Sequence, residues 1–120
     1  MQMPEELAPD AAAVLAALLA GPGPVFAALR AQIPHARVTG RCGCGCVTVD
    51  LEVDRAAAEP APPHGSPVVE ASFPVAPVWA GVVALTHEGY LSGLEVYSVA
   101  DAPVTAWPDP RLLVVDVPGE

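Results

Sequence analysis

The 120-residue chain has no lysine and no asparagine, and its five basic residues are the arginines 30, 37, 41, 55 and 111. Without lysine there can be no Schiff-base lysine and no phosphate-loop lysine. Fourteen acids against five scattered arginines leave a formal charge of −9. A nucleic-acid binder needs a basic stripe to neutralise phosphates, so that class is excluded, and anionic membrane surfaces are disfavoured for the same reason. A basic protein partner or a bound cation fits this balance. Long hydrophobic runs are missing too. The apolar stretch over residues 11–20 is shorter than the about 20 residues that cross a bilayer. The opening Met-Gln-Met-Pro-Glu-Glu is acidic where a secretory signal requires positive charge, which points to the cytoplasm. Cysteine is sparse as well. Three thiols in a reducing compartment stay reduced, and an odd number cannot all pair internally.

What is present is apolar: 52% of the residues are hydrophobic, enough for one compact domain over residues 1–120. The surplus of Ala, Val, Pro and Gly, with arginine as the only strong base, is the pattern of a GC-rich genome. Residues 1–9 read as a loose terminus. Asp10 suits the N-cap of a helix over residues 11–20 that ends at Gly21, and Pro24 opens a second helix that Pro34 closes. Residues 54–67 hold four prolines and read as an internal loop. Strands are expected over residues 68–73, 79–87, 90–99 and 112–117, with a hairpin at Glu88-Gly89 pairing His87 with Tyr90. In that register Leu85 lies beside Ser92 and Val83 beside Leu94. The order predicts an α+β fold, two N-terminal helices packed on a mostly antiparallel four- to five-stranded sheet.

The chemistry concentrates in residues 41–52, Arg-Cys-Gly-Cys-Gly-Cys-Val-Thr-Val-Asp-Leu-Glu. Val47, Val49, Leu51 and Val53 alternate with Thr48, Asp50 and Glu52 as in a strand. Extended back through the glycines, that strand places Cys42, Cys44 and Cys46 on the polar side, away from the valines. Same-side positions lie about 6.5–7 Å apart, so three thiolates can converge on one ion with Zn–S near about 2.3 Å. His35 is the first choice for a fourth ligand over His64, which reads as a solvated loop residue, and His87. The metal set is therefore Cys42, Cys44, Cys46 and His35, with zinc as the ion and Cu(I) also acceptable to such thiolates. Two other readings remain open. In one, the cysteines are packed small residues without chemistry. In the other, one thiolate attacks and another resolves, which makes a redox sensor with Arg41 lowering a thiol pKa.

The run Leu91-Ser92-Gly93-Leu94-Glu95-Val96-Tyr97-Ser98, with Trp107-Pro108 after it and the cysteine run before it, resembles a group of short uncharacterised proteins from GC-rich bacteria. The resemblance covers most of residues 37–113. It implies that the cysteines and the Leu-Glu-Val-Tyr strand belong to one module, and it carries no activity with it.

Catalysis has no framework here. There is no Gly-x-Ser-x-Gly elbow, and no acid, base and nucleophile stand out as a set. The expected function is a small soluble non-enzymatic domain with a three-thiol strand that binds a soft metal ion such as zinc. The alternative is an acidic protein-binding module of the immunity or antitoxin kind, with Trp79, Tyr90, Tyr97 and Trp107 as anchors on a basic partner.

Overall fold

The computed structural model describes residues 4–43, 45–98 and 104–116. Helix α1 spans Pro9–Leu18, with Pro9 in its first turn and Ala8 at the N-cap. Proline fits there because its fixed φ is already helical and its missing N–H would have had no partner. Asp10 consequently sits one step inside the helix instead of capping it. Its carboxylate accepts the Ala11 N–H at 2.9 Å, at the positive end of the helix dipole. Ala11, Val14, Leu15 and Leu18 form the buried stripe. Helix α2 spans Pro24–Gln32 and a 3-10 turn, Ile33–His35, follows it at Pro34. Arg30 reaches back from α2 to the open end of α1. Its guanidinium donates to the Gly21 carbonyl at 2.8 Å and to the Leu19 carbonyl, supplying partners that the helix end lacks.

The strands are β1 (Glu5–Glu6), β2 (Ala36–Arg41), β3 (Val49–Val53), β4 (Val69–Val75), β5 (Val78–His87), β6 (Tyr90–Ser98) and β7 (Val114–Asp116). They form one antiparallel seven-stranded sheet in the order β1-β2-β3-β6-β5-β4-β7. The α+β class is as expected, but four to five strands undercounts the sheet. β1 lies in the stretch read as a loose terminus, and β2 offers only Ala36 and Val38 as buried alternating positions. Both form through tertiary pairing that a local pattern is too short to reveal.

Burial is mostly on one side, although Val83 on the other is also buried. Ala36, Val38, Val49, Leu51, Val53, Val69, Ala71, Phe73, Ala80, Val82, Ala84, Leu94 and Val96 join the helix residues Val14, Leu15, Leu18 and Leu29 in a single cluster. Their alternation along the strands puts both helices on one face of the sheet. The result is a two-layer slab with extents of 42 × 42 × 21 Å.

The β5–β6 hairpin turns at Glu88 and Gly89, whose φ values of 55° and 86° are both positive, as a tight two-residue turn needs. His87 faces Tyr90 as expected, but the register then shifts. Thr86 pairs with Leu91 and Leu85 with Gly93, so Ser92 is an extra residue in β6. The expected pairs Leu85–Ser92 and Val83–Leu94 are replaced by Leu85–Gly93 and Val83–Glu95. The reason is burial: Leu91 and Leu94 are three apart, and only a bulge lets both enter the core.

Gln32 is the one polar residue among the fully buried side chains described. Its Nε2 donates to the carbonyls of Glu59 and Gly89, both at 2.9 Å, and its Oε1 accepts the Leu91 N–H at 2.9 Å. Two acceptors and one donor fix which way the amide points. Substitution Gln32→Met keeps the volume and removes all three bonds, so urea denaturation is expected to show a loss of about 3 kcal/mol. A loss under about 1 kcal/mol would mean that water replaces the amide.

Candidate functional site

The cysteine run does not continue β3. That strand begins at Val49, and residues 42–48 form the loop joining β2 to β3. Gly45 takes φ of +91°, a conformation an extended strand cannot contain, so the alternation that would have put the thiols opposite the valines stops there. Cys42 is exposed and Cys46 is half-buried against the core, while Cys44 lies outside the described residues. The loop is tied at both ends. The Cys42 N–H donates to the Thr48 carbonyl at 3.2 Å and the Val47 N–H to the Val104 carbonyl at 2.9 Å. The Thr48 hydroxyl bridges to β6, accepting the Val96 N–H at 3.0 Å and donating to its carbonyl at 3.4 Å.

His35 is not brought to Cys42. It precedes β2 and Cys42 follows it, so an extended strand holds them about 20 Å apart. His35 instead lines a groove of about 830 Å³ with Arg37, Thr39, Glu52, Asp54 and Arg55, where acids and bases balance. His64 is not the solvated loop residue its neighbours suggest. It is half-buried, with Nδ1 2.6 Å from the Pro62 carbonyl and Nε2 2.8 Å from the Thr86 hydroxyl. A carbonyl only accepts, so Nδ1 carries a proton. His87 is exposed beside Glu88, at 3.6 Å. Among the described residues no group of three His, Cys, Asp or Glu side chains is placed to hold a metal.

The feature that sequence reasoning missed is the sheet face away from the helices. Register places its side chains in rows. Val114, Ser72, Gly81 and Tyr97 face one another across β7, β4, β5 and β6. The next row holds Asp116, Glu70, Val83 and Glu95. Beyond it lie Leu85, Gly93, Asp50 and Gly40, and on the other side Pro74 faces Trp79. Of the five large apolar side chains that are exposed among the described residues, Trp79 (53%), Tyr97 (45%) and Val114 (56%) stand on this face, while Val75 and Leu112 lie outside these rows. Asp50, Glu70, Glu95 and Asp116 share it, and no arginine falls in these rows. Arg37 lies farther out on β2, flanked by Glu6 and Glu52. The other two expected anchors are occupied: Trp107 packs against the core, and Tyr90 does so beneath Arg55.

Two glycines let neighbouring side chains lie close over the backbone of this face. A Cβ at Gly81 would clash with Tyr97 Cζ, so the ring lies directly over the Gly81 backbone. From there the Tyr97 hydroxyl reaches across β5 and donates to the Glu70 carboxylate on β4. A Cβ at Gly40 would likewise meet the Asp50 carboxylate at 2.7 Å. One signal for this face was available in sequence, the alternation of Gly93, Glu95 and Tyr97 against Leu94 and Val96. The convergence of Glu70 and Asp116 on it depends on strand order.

The bond to Glu70 is the main reason Tyr97 titrates above its ordinary 10.0, with burial and the charges of Glu70 and Asp116 adding to it. The neutral phenol is the form the fold favours. Its contribution is present below pH 10.0 and is lost as pH rises through the elevated value. Glu70→Gln is therefore expected to lower the Tyr97 midpoint in an ultraviolet titration, and an unmoved midpoint would assign the elevation elsewhere. Comparison with protein-family models, with curated proteins and with solved structures gives no match to this chain.

Proposed function

We propose that this chain is a non-enzymatic protein-binding module that docks a basic partner on the open face of its sheet. The observation that carries the reading is the coincidence, in adjacent rows, of exposed Trp79, Tyr97 and Val114 with Glu70, Glu95, Asp116 and Asp50. Aromatic anchors beside carboxylates supply apolar contact and charge together, the combination that fixes a partner and steers its approach. Neighbouring strands are about 4.8 Å apart, so each of these carboxylates lies within about a Debye length of the next and the series acts along its length on an incoming cation.

The size of the face sets the affinity class. Four rows along the strands and five strands across cover about 20 by 20 Å, or about 400 Å². That is half the about 800 Å² per partner of a standard interface, so the contact belongs with transient, salt-sensitive ones. A nonapeptide of mixed Lys and Arg is expected to shift amide resonances of residues 70, 72, 79, 81, 83, 95, 97, 114 and 116 at low salt, and to release as salt rises. Shifts on the helices or the proline-rich loop, or none at all, would defeat the reading.

A second reading is that the β2–β3 loop holds a soft ion such as zinc through Cys42, Cys44 and Cys46. It is favoured by the gathering of all three cysteines in a seven-residue connection turned by Gly45. His35 has no part in it, and a water molecule or a partner's side chain completes the tetrahedron. Elemental analysis of protein prepared without a histidine tag should then find one zinc per chain, and zinc should slow thiol modification by a bulky reagent. Metal-free protein whose thiols react at the same rate with and without added zinc would remove this reading.

A further inference from the structure

Resting on the docking reading above, we infer that the open face selects arginine over lysine, and that its occupant is an arginine-bearing segment of a partner protein. The chain displays the needed recognition unit once, internally. Arg55 sits with its guanidinium carbon 4.5 Å above the centroid of the Tyr90 ring while its NH2 group donates to Glu88 at 3.1 Å. One guanidinium thus satisfies an aromatic face and a carboxylate together, which its planar, weakly hydrated fork allows.

Tyr97 presents the same two halves without the arginine. One side of its ring rests on the Gly81 backbone and the ring is 45% exposed, which leaves the other side to solvent. Glu95 stands two residues away on the same strand face, and Glu70 is held at the phenol hydroxyl. A guanidinium laid on Tyr97 therefore has a carboxylate beside it in two directions, where Arg55 on Tyr90 has the one from Glu88. Trp79, two residues from Gly81 on β5, offers a second exposed ring of the better cation-binding type. A lysine ammonium is a compact, strongly hydrated point charge. It feels the carboxylates equally but cannot stack and fork at the same time. A second copy of this chain makes a poor occupant, because two faces of the same negative sign repel.

The test compares an arginine nonapeptide with a lysine nonapeptide of equal charge at one ionic strength, using calorimetry and amide shifts on the intact chain. Arginine is expected to bind about three- to tenfold tighter. Tyr97→Leu together with Trp79→Leu, which keep apolar area and remove both exposed rings, should abolish that preference while leaving lysine binding little changed. Asp10→Asn with Glu59→Gln removes the same two charges as Glu70→Gln with Glu95→Gln but lies off the face, so it separates local recognition from net charge. The face pair should weaken both peptides more than the control pair does. Equal binding of the two peptides at the face would overturn the arginine inference and leave the docking reading standing. Binding of neither would overturn both. An arginine preference that survives the loss of both rings, or shifts on this face that track chain concentration without any peptide, would overturn the inference.

Discussion

The Gln32 amide is buried and holds three backbone groups that belong to distant parts of the chain. Its oxygen holds the first turn of β6, and its nitrogen holds the hairpin turn at Gly89 and the proline-rich loop at Glu59. A buried amide left unmatched is costly, so these bonds form together or not at all. One end of α2 is thereby fixed to the sheet, and a loop rich in proline is converted into a seated cover. His64 completes the seating at the other end of that loop, through Thr86. The register of β5 and β6, on which the rows of the open face depend, starts from this anchor.

Among the described residues the sheet has seven strands against two short α-helices, and that disproportion shapes everything outside the core. The helices, with the segment around Trp107, are enough to bury one side. The other side must live in water, and the alternation of strands puts the carboxylates there. The acidity of the chain is therefore partly architectural: an uncovered sheet face needs polar residues, and here most of them carry the same sign. Aromatic residues standing among those carboxylates are what simple solvation does not require.

Much of this architecture was legible where a single residue type decides local geometry. Pro24 and Pro34 bracketed α2, and Glu88-Gly89 marked its hairpin, because ring closure and positive φ act at the residue itself. Legibility ended where pairing decides. β1 is two residues long and exists only because β2 is beside it. The alternation from Val49 to Val53 was real, yet its extension through Gly45 was not, since a glycine can leave the strand without any change in apolar pattern. The bulge at Ser92 was written in the spacing of Leu91 and Leu94, but reading it requires knowing that both are buried. The candidate face was the least legible of all. Glu70, Glu95 and Asp116 come from three strands and share a row only after the order β6-β5-β4-β7 is set.

The ring of Tyr97 lies flat because there is nothing at position 81 to lift it. Its pose is thus determined by a residue on a neighbouring strand that is itself hidden from solvent. Adding even one carbon there would force the ring upright, replacing a smooth plane with a ridge and parting the phenol from Glu70. The surface relief of this molecule is in that sense encoded underneath, at a position that touches nothing outside the chain, and the outline it offers to another body can be recast without altering a single exposed side chain.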